Sequence, residues 1–136
     1  MQKNIIFGIS MLLFCLAAWG VYKYFKPHQN SASENPVATI SASALYNEFH
    51  DTEELANKKW VGKVIEVTGR IVSVQETGNY ISINLDAAKE GGVNGSFLKK
   101  DLRLENKINP GDSVTIKGKC TGFLMDVNLV DCVKIK

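Results

Sequence analysis

Cys120 and Cys132 are the residues whose spacing points most directly to chemistry. In a hairpin centred on Asp126 their numbers are symmetric, which would set them opposite each other on adjacent antiparallel strands. Oxidised, they would close a 13-residue loop. In the chain-entropy view that contributes on the order of 3 kcal/mol, a useful amount for a domain of under about 100 residues. Such a bond needs an oxidising compartment; in a reducing one the same residues are two small buried thiols. Two Cys without a nearby His or third Cys cannot fill a tetrahedral zinc site. Other constellations are weaker. His28 lies in a polar stretch and His50 at a helix end, neither beside a nucleophile motif. The run Gly91-Gly92-Val93-Asn94-Gly95 lacks the following Lys and Ser or Thr of a phosphate cradle and reads as a flexible connection. Asn94-Gly95-Ser96 matches a glycosylation sequon, yet Asn-Gly is first a turn dipeptide. Asp126 and Asp131 are an odd number apart, hence on opposite faces of a strand and no acid and base pair. No catalytic residue, cofactor or metal is expected, and the chain does not read as an enzyme.

The elements that must position these residues fall into four stretches of a 136-residue chain. After a short flank at 1–3, Asn4 to Phe25 carry a single charge, Lys23. As a helix they would span about 33 Å, against a bilayer core of roughly 30 Å. Trp19, Tyr22 and Tyr24 gather with Lys23 and Lys26 as an interfacial belt. A single-pass anchor follows, and a cleaved leader or lipidation at Cys15 is the alternative: no A-x-A-like site is present, and Phe14 precedes Cys15 where a lipoprotein has a small residue. Lys3 on one side and Lys23 and Lys26 on the other leave orientation undecided by charge. Residues 26–40 are polar and aperiodic and read as a tether with about 20 Å of reach.

Residues 41–136 form the folded unit. Ser41 and Ser43 are N-cap candidates for a helix carrying Leu45 and Phe49 on one face. Thr52 to Lys59 suggests a second, with Asp51 and Glu54 at capping-box spacing and Leu55, Ala56 and Trp60 on the buried side. Strands follow: Val61 to Gln75, with Gly69 as a bulge or bend; Tyr80 to Asp86 after a Gly78-Asn79 turn; Ser96 to Leu104 after a glycine-rich loop from Ala87 to Gly95; a fourth carrying Val114, Ile116, Gly118 and Cys120 on one face; and Asp126 to Ile135. The class is mainly β: a five-stranded, highly curved barrel preceded by one or two short helices and a transmembrane helix.

Lys63-Val64-Ile65-Glu66-Val67-Thr68-Gly69 and Pro110-Gly111-Asp112-Ser113-Val114-Thr115-Ile116-Lys117-Gly118 resemble the first and fourth strands of an OB-fold. With Ala44-Leu45, Phe49, Lys58 to Lys63 and the ending Cys120 to Cys132, roughly residues 41 to 136 are similar to the tRNA_anti-like family of bacterial OB-fold proteins. Trp60 stands where that family is expected to have Tyr. The family name records a likeness to anticodon-binding domains and brings no catalytic residues.

An OB-fold implies a binding face, for which Tyr80, Phe97 and Phe123 are stacking candidates beside Lys99, Lys100, Arg103, Lys117 and Lys119. The competing reading puts Phe97 and Phe123 in the barrel core and the lysines among Asp101, Glu105 and Asp112 on a solvated surface. Three of the 16 basic residues, Lys3, Lys23 and Lys26, precede Pro27, leaving 13 against 14 acidic residues, so the domain lacks the basic excess that phosphate backbones require. The sequence therefore points first to a membrane-anchored module on the periplasmic side, binding an envelope protein, peptide or glycan. The alternative is a cytoplasm-facing module for single-stranded nucleic acid. Oligomeric state is not legible.

Overall fold

A barrel strand that must pair with two different neighbours dictates the architecture, and β2 (Val64–Thr77) is that strand. In this computed structural model, which describes residues 2–24, 31–102 and 108–136, Val64 to Arg70 pair with β5 (Ser113–Phe123) and Ile71 to Thr77 with β3 (Tyr80–Asp86). β3 continues into β4 (Gly92–Leu98), β4 pairs in parallel with β6 (Val127–Lys134), and β6 returns to β5. The β2–β5 pairing closes a five-stranded barrel. The alternation of Ile83 and Leu85 with Ser82 and Asn84 puts the apolar set inside. Ile65, Val67, Ile71, Val93, Phe97, Ile116 and Leu129 complete the core.

Gly69 is not the bulge. The register shift lies between Ile71 and Ser73. Gly69 is needed for close approach: a Cβ there would sit 2.9 Å from the Ala42 Cβ and 3.1 Å from the Leu85 Cβ. Ala42 opens α2 (Ala42–Asp51), whose Leu45, Tyr46 and Phe49 are buried in the core. Ser41 is the N-cap, its hydroxyl accepting from the Ala44 N–H at 3.2 Å. α3 (Glu53–Trp60) starts from Thr52 with no side-chain cap, so the expected Asp51 and Glu54 box does not form; Glu54 accepts from Lys58 instead. Ala56 and Trp60 are buried, but Leu55 is 63% exposed, on the opposite side of this short helix. Glu48 ties the two helices, accepting from the Trp60 indole N–H at 2.6 Å and the Lys59 ammonium at 2.9 Å.

The glycine-rich connection is shorter than expected. Gly92, Val93, Asn94 and Gly95 belong to β4, which ends at Leu98 and does not run on to Leu104; Arg103 and Leu104 lie outside the described residues. Asn94-Gly95 is therefore mid-strand and makes no turn. The reason is packing, since a Cβ on Gly95 would meet the Ile116 Cδ1 at 2.6 Å across the barrel.

The stretch read as a tether is seated on the barrel from Ser31 onward. Ser31–Ser33 form a 3-10 turn, and Thr39–Ser41 form β1, parallel to Glu66 to Thr68 of β2. The Val37 N–H donates to the Val64 carbonyl at 2.9 Å. Lys117 fastens this strap: on the outer side of β5 it is only 8% exposed, and its ammonium donates to the Ala32 and Glu34 carbonyls at 3.0 and 3.1 Å. α1 (Gln2–Tyr24) contains Ile6–Lys23, a stretch long and apolar enough to cross a membrane and with no side chain buried in the chain itself.

Two expectations follow. Lys117→Met keeps the stem but removes the charged donor, which is worth about 2 kcal/mol. The Val37 amide should then exchange more than about ten-fold faster while core β2 amides stay protected, as hydrogen exchange resolved by residue will report. Burial works to raise the Glu48 carboxyl, but hydrogen bonds from Lys59 and Trp60 and the Lys59 charge outweigh it and hold the group below its ordinary 4.5. Its contribution is present above that value and lost as pH falls below it, so Glu48→Gln should flatten the acid limb of stability against pH in thermal melts.

Candidate binding face

The outer surface of the barrel over β3 and β4 is built by strand alternation. With Ile83, Leu85, Val93, Gly95 and Phe97 inside, Tyr80, Ser82 and Asn84 on β3 and Asn94, Ser96 and Leu98 on β4 face outward. The register sets them in cross-strand pairs: Tyr80 with Leu98, Ser82 with Ser96, Asn84 with Asn94. β2 extends the same side with Ser73, Gln75 and Thr77, and β6 with Asn128 and Val130. The surface is thus rich in hydroxyls and amides, which both donate and accept. The strands β3 and β4 carry no Lys or Arg.

Hollows mark both ends. At one, Tyr80, Ser96, Leu98, Val130 and Asp131 line about 270 Å³, and Leu98 also borders a hollow of about 510 Å³ with Asn79, Lys99 and Lys100. At the other, a cleft of about 350 Å³ lies between Val72, Asn84, Asp86, Gly92, Met125 and Asp126. Asp126 is held in place, its carboxylate accepting from the Gly92 N–H at 2.7 Å and from the Asn84 amide at 3.5 Å.

Of the expected site residues, the structure brings Tyr80, Lys99 and Lys100 together. Tyr80 is 44% exposed. Lys99 pairs with Glu76 at 2.8 Å, and Lys100 is exposed. Phe97 is in the core at 1% exposure, because it fills the barrel between the strands. Phe123 is partly buried against α2, stacked on Phe49 at 5.8 Å and edge-on to Tyr46 at 5.6 Å. Lys117 is occupied by the strap, and Lys119 is on β5, separated from β4 by β6. Arg103 and His28 lie outside the described residues. His50 stacks on Tyr46 at 5.9 Å, with its Nδ1 3.2 Å from Asp51. Ser82, Ser96, Asn94, Leu98 and Val130 were not anticipated as site residues. The alternation around Ile81, Ile83 and Leu85 marked Ser82, and Ser96 was read as the first residue of a strand, but the start of β4 read as loop hid Asn94.

The cysteines are out of register. The hairpin pairs Phe123 with Val127, so it turns on Met125 and not on Asp126. With a second irregularity beyond it between Lys117 and Lys119, the shift on β5 between Cys120 and Gly122 places Cys120 opposite Leu129, three residues from Cys132. That is about 10 Å along a strand, beyond the reach of a disulfide. Asp131, with φ +52°, takes the extra residue at one of these irregularities. Cys132 remains inside, its Sγ 2.5 Å from where a Gly118 Cβ would be. Both are buried free thiols. Burial pushes the Cys120 thiol above its usual range and Cys132 up to about 12. Among the described residues no cluster of three or more His, Cys, Asp or Glu forms a metal site.

Both thiols should therefore resist alkylation in the native protein at neutral pH and react in denaturant, with reductant leaving the label count unchanged by intact mass. Raised thiol values mean that their stabilising burial is intact below about pH 9 and declines as pH rises toward those values.

The tRNA_anti-like family model matches residues 1–134. No curated protein matches the chain. Among solved structures, a Klebsiella pneumoniae lipoprotein described as a candidate nucleic acid-binding protein superposes with a TM-score of 0.60 at 18% identity, over 82% of this chain and 100% of that one. A candidate aspartyl-tRNA synthetase from Leishmania major superposes with a TM-score of 0.51 at 14% identity, over 88% of this chain and 26% of the enzyme. At these identities the likeness is one of fold.

Proposed function

The chain belongs to the tRNA_anti-like family, and from that premise we propose that it is a membrane-anchored OB-fold binding module. In this reading it faces the extracytoplasmic side, holds an envelope protein, peptide or glycan on the β3–β4 face, and performs no catalysis. The observation that carries the reading is the charge pattern of that face. OB-folds take oligonucleotides across the second and third barrel strands and the loops joining strands one to two and four to five. Here those loops are Gly78-Asn79 and Leu124-Met125-Asp126, neither with a basic residue. Lys99 is paired and Lys117 buried, so few cations are placed to release counterions from a phosphate backbone. The sidedness is supported by the likeness to a chain described as a lipoprotein.

A second reading, single-stranded nucleic acid bound at the cytoplasmic face, is favoured by Lys99 and Lys100 beside Tyr80 and by the description of the Klebsiella protein. Its signature is affinity that falls steeply with salt.

Alkaline phosphatase fused after Lys136 should be active in cells, and an inactive fusion of normal abundance would overturn the sidedness. Titrated with a fluorescent single-stranded oligonucleotide, the full chain in detergent should bind no tighter than about 10⁻⁴ M at physiological salt. Micromolar, salt-sensitive affinity would establish the second reading.

A further inference from the structure

We infer that the occupant of the β3–β4 face is an uncharged glycan strand, with one sugar ring stacked on Tyr80 and its hydroxyls bonded to Ser82, Ser96, Asn84 and Asn94; this rests on the reading of that face as the binding surface. Several observations select this ligand class. A peptide is commonly captured by adding a strand to an open edge, but β3 is paired on both sides by β2 and β4, and β4 is paired by β3 along its length and by β6 over Val93 to Gly95, leaving Ser96 to Leu98 outside that ladder. The face offers an extended peptide an edge of three residues at most. A polyanion would meet Asp86, Glu90 and Asp126 against a single Lys89 at one end, and Lys100 beside a Lys99 already paired with Glu76 at the other. What the surface does offer is an aromatic ring 44% exposed, seated over Leu98, followed along the strands by two serine hydroxyls and two asparagine amides in register. Sugar hydroxyls both donate and accept, as do these side chains, while the C–H face of a pyranose packs on an aromatic ring.

The dimensions suit a strand of several rings. The hollow of about 270 Å³ at Tyr80 and the cleft of about 350 Å³ at Asn84 are separated by four residues of β3, which is about 13 Å. Between them the paired Ser82 and Ser96 leave a shallow polar floor without a side chain large enough to block passage.

The test titrates the full chain in detergent with N-acetylglucosamine hexasaccharide and with maltohexaose, followed by calorimetry. Saturable binding of either is expected, weakened about ten-fold by Tyr80→Ala and within about three-fold of wild type in Tyr80→Phe, which keeps the ring. Thermal melts establish that both variants are folded, and Ser82→Ala together with Ser96→Ala weakens binding without touching the ring. No saturable binding of either sugar up to about 10 mM, or binding indifferent to Tyr80→Ala, overturns the glycan. A photo-crosslinker at position 82 separates the two levels. A crosslinked protein without sugar binding overturns the glycan and leaves the face standing, whereas salt-sensitive oligonucleotide binding that protects the crosslinker overturns both.

Discussion

The structure depends on β2 changing partners. A short barrel closes only if one strand is long enough and curved enough to pair with β5 along its first half and β3 along its second. Both the irregularity between Ile71 and Ser73 and the close approach at Gly69 serve that change. At Gly69 the missing side chain lets Ala42, and with it α2, settle against the strand. Leu45 and Phe49 then plug the barrel end, so the helix and the closure stabilise each other. The turn at Asn109 to Asp112 completes the join, with the Gly111 N–H donating to the Ile71 carbonyl and the Ile71 N–H to the Asp112 carbonyl, each at 2.8 Å.

Closure also explains the cysteines. A barrel needs local twist, and the β5–β6 pair acquires it through two register irregularities. Each keeps inward-facing residues inward while moving them along the partner strand, so Cys120 and Cys132 both reach the core without meeting. The domain does not lean on a cross-link. Its stability comes from an apolar interior, from the Glu48 contacts to Trp60 and Lys59, and from the strap that Lys117 holds.

That strap decides which side of the barrel is covered. Residues 31–41 cover part of β2 and β5 and leave the opposite surface, over β3 and β4, uncovered. The uncovered surface is the one with hydroxyls, amides and Tyr80, and the Gly78-Asn79 and Leu124-Met125-Asp126 loops beside it carry no basic residue. Family and neighbouring structures establish the OB-fold and leave the ligand to be read from this chemistry.

Much of this was legible in the residues themselves. The apolar run of α1, the Ser41 cap, the alternation of β3 and the strand pattern of β5 are local properties, written in hydropathy period and turn chemistry, and they appear where expected. The family resemblance likewise rested on contiguous segments. Only tertiary structure decided the rest, because it depends on pairing between distant segments. Gly92 and Gly95 read locally as loop, yet Ile116 and Asn84 crowd them into a strand. Leu55 fits a buried helical face that the fold does not provide. Lys117 reads as a solvated cation until Ala32 and Glu34, some eighty residues away, present their carbonyls. The cysteine spacing is symmetric about Asp126 in number, but register is set by bulges, and a bulge is a consequence of closure that no local pattern announces.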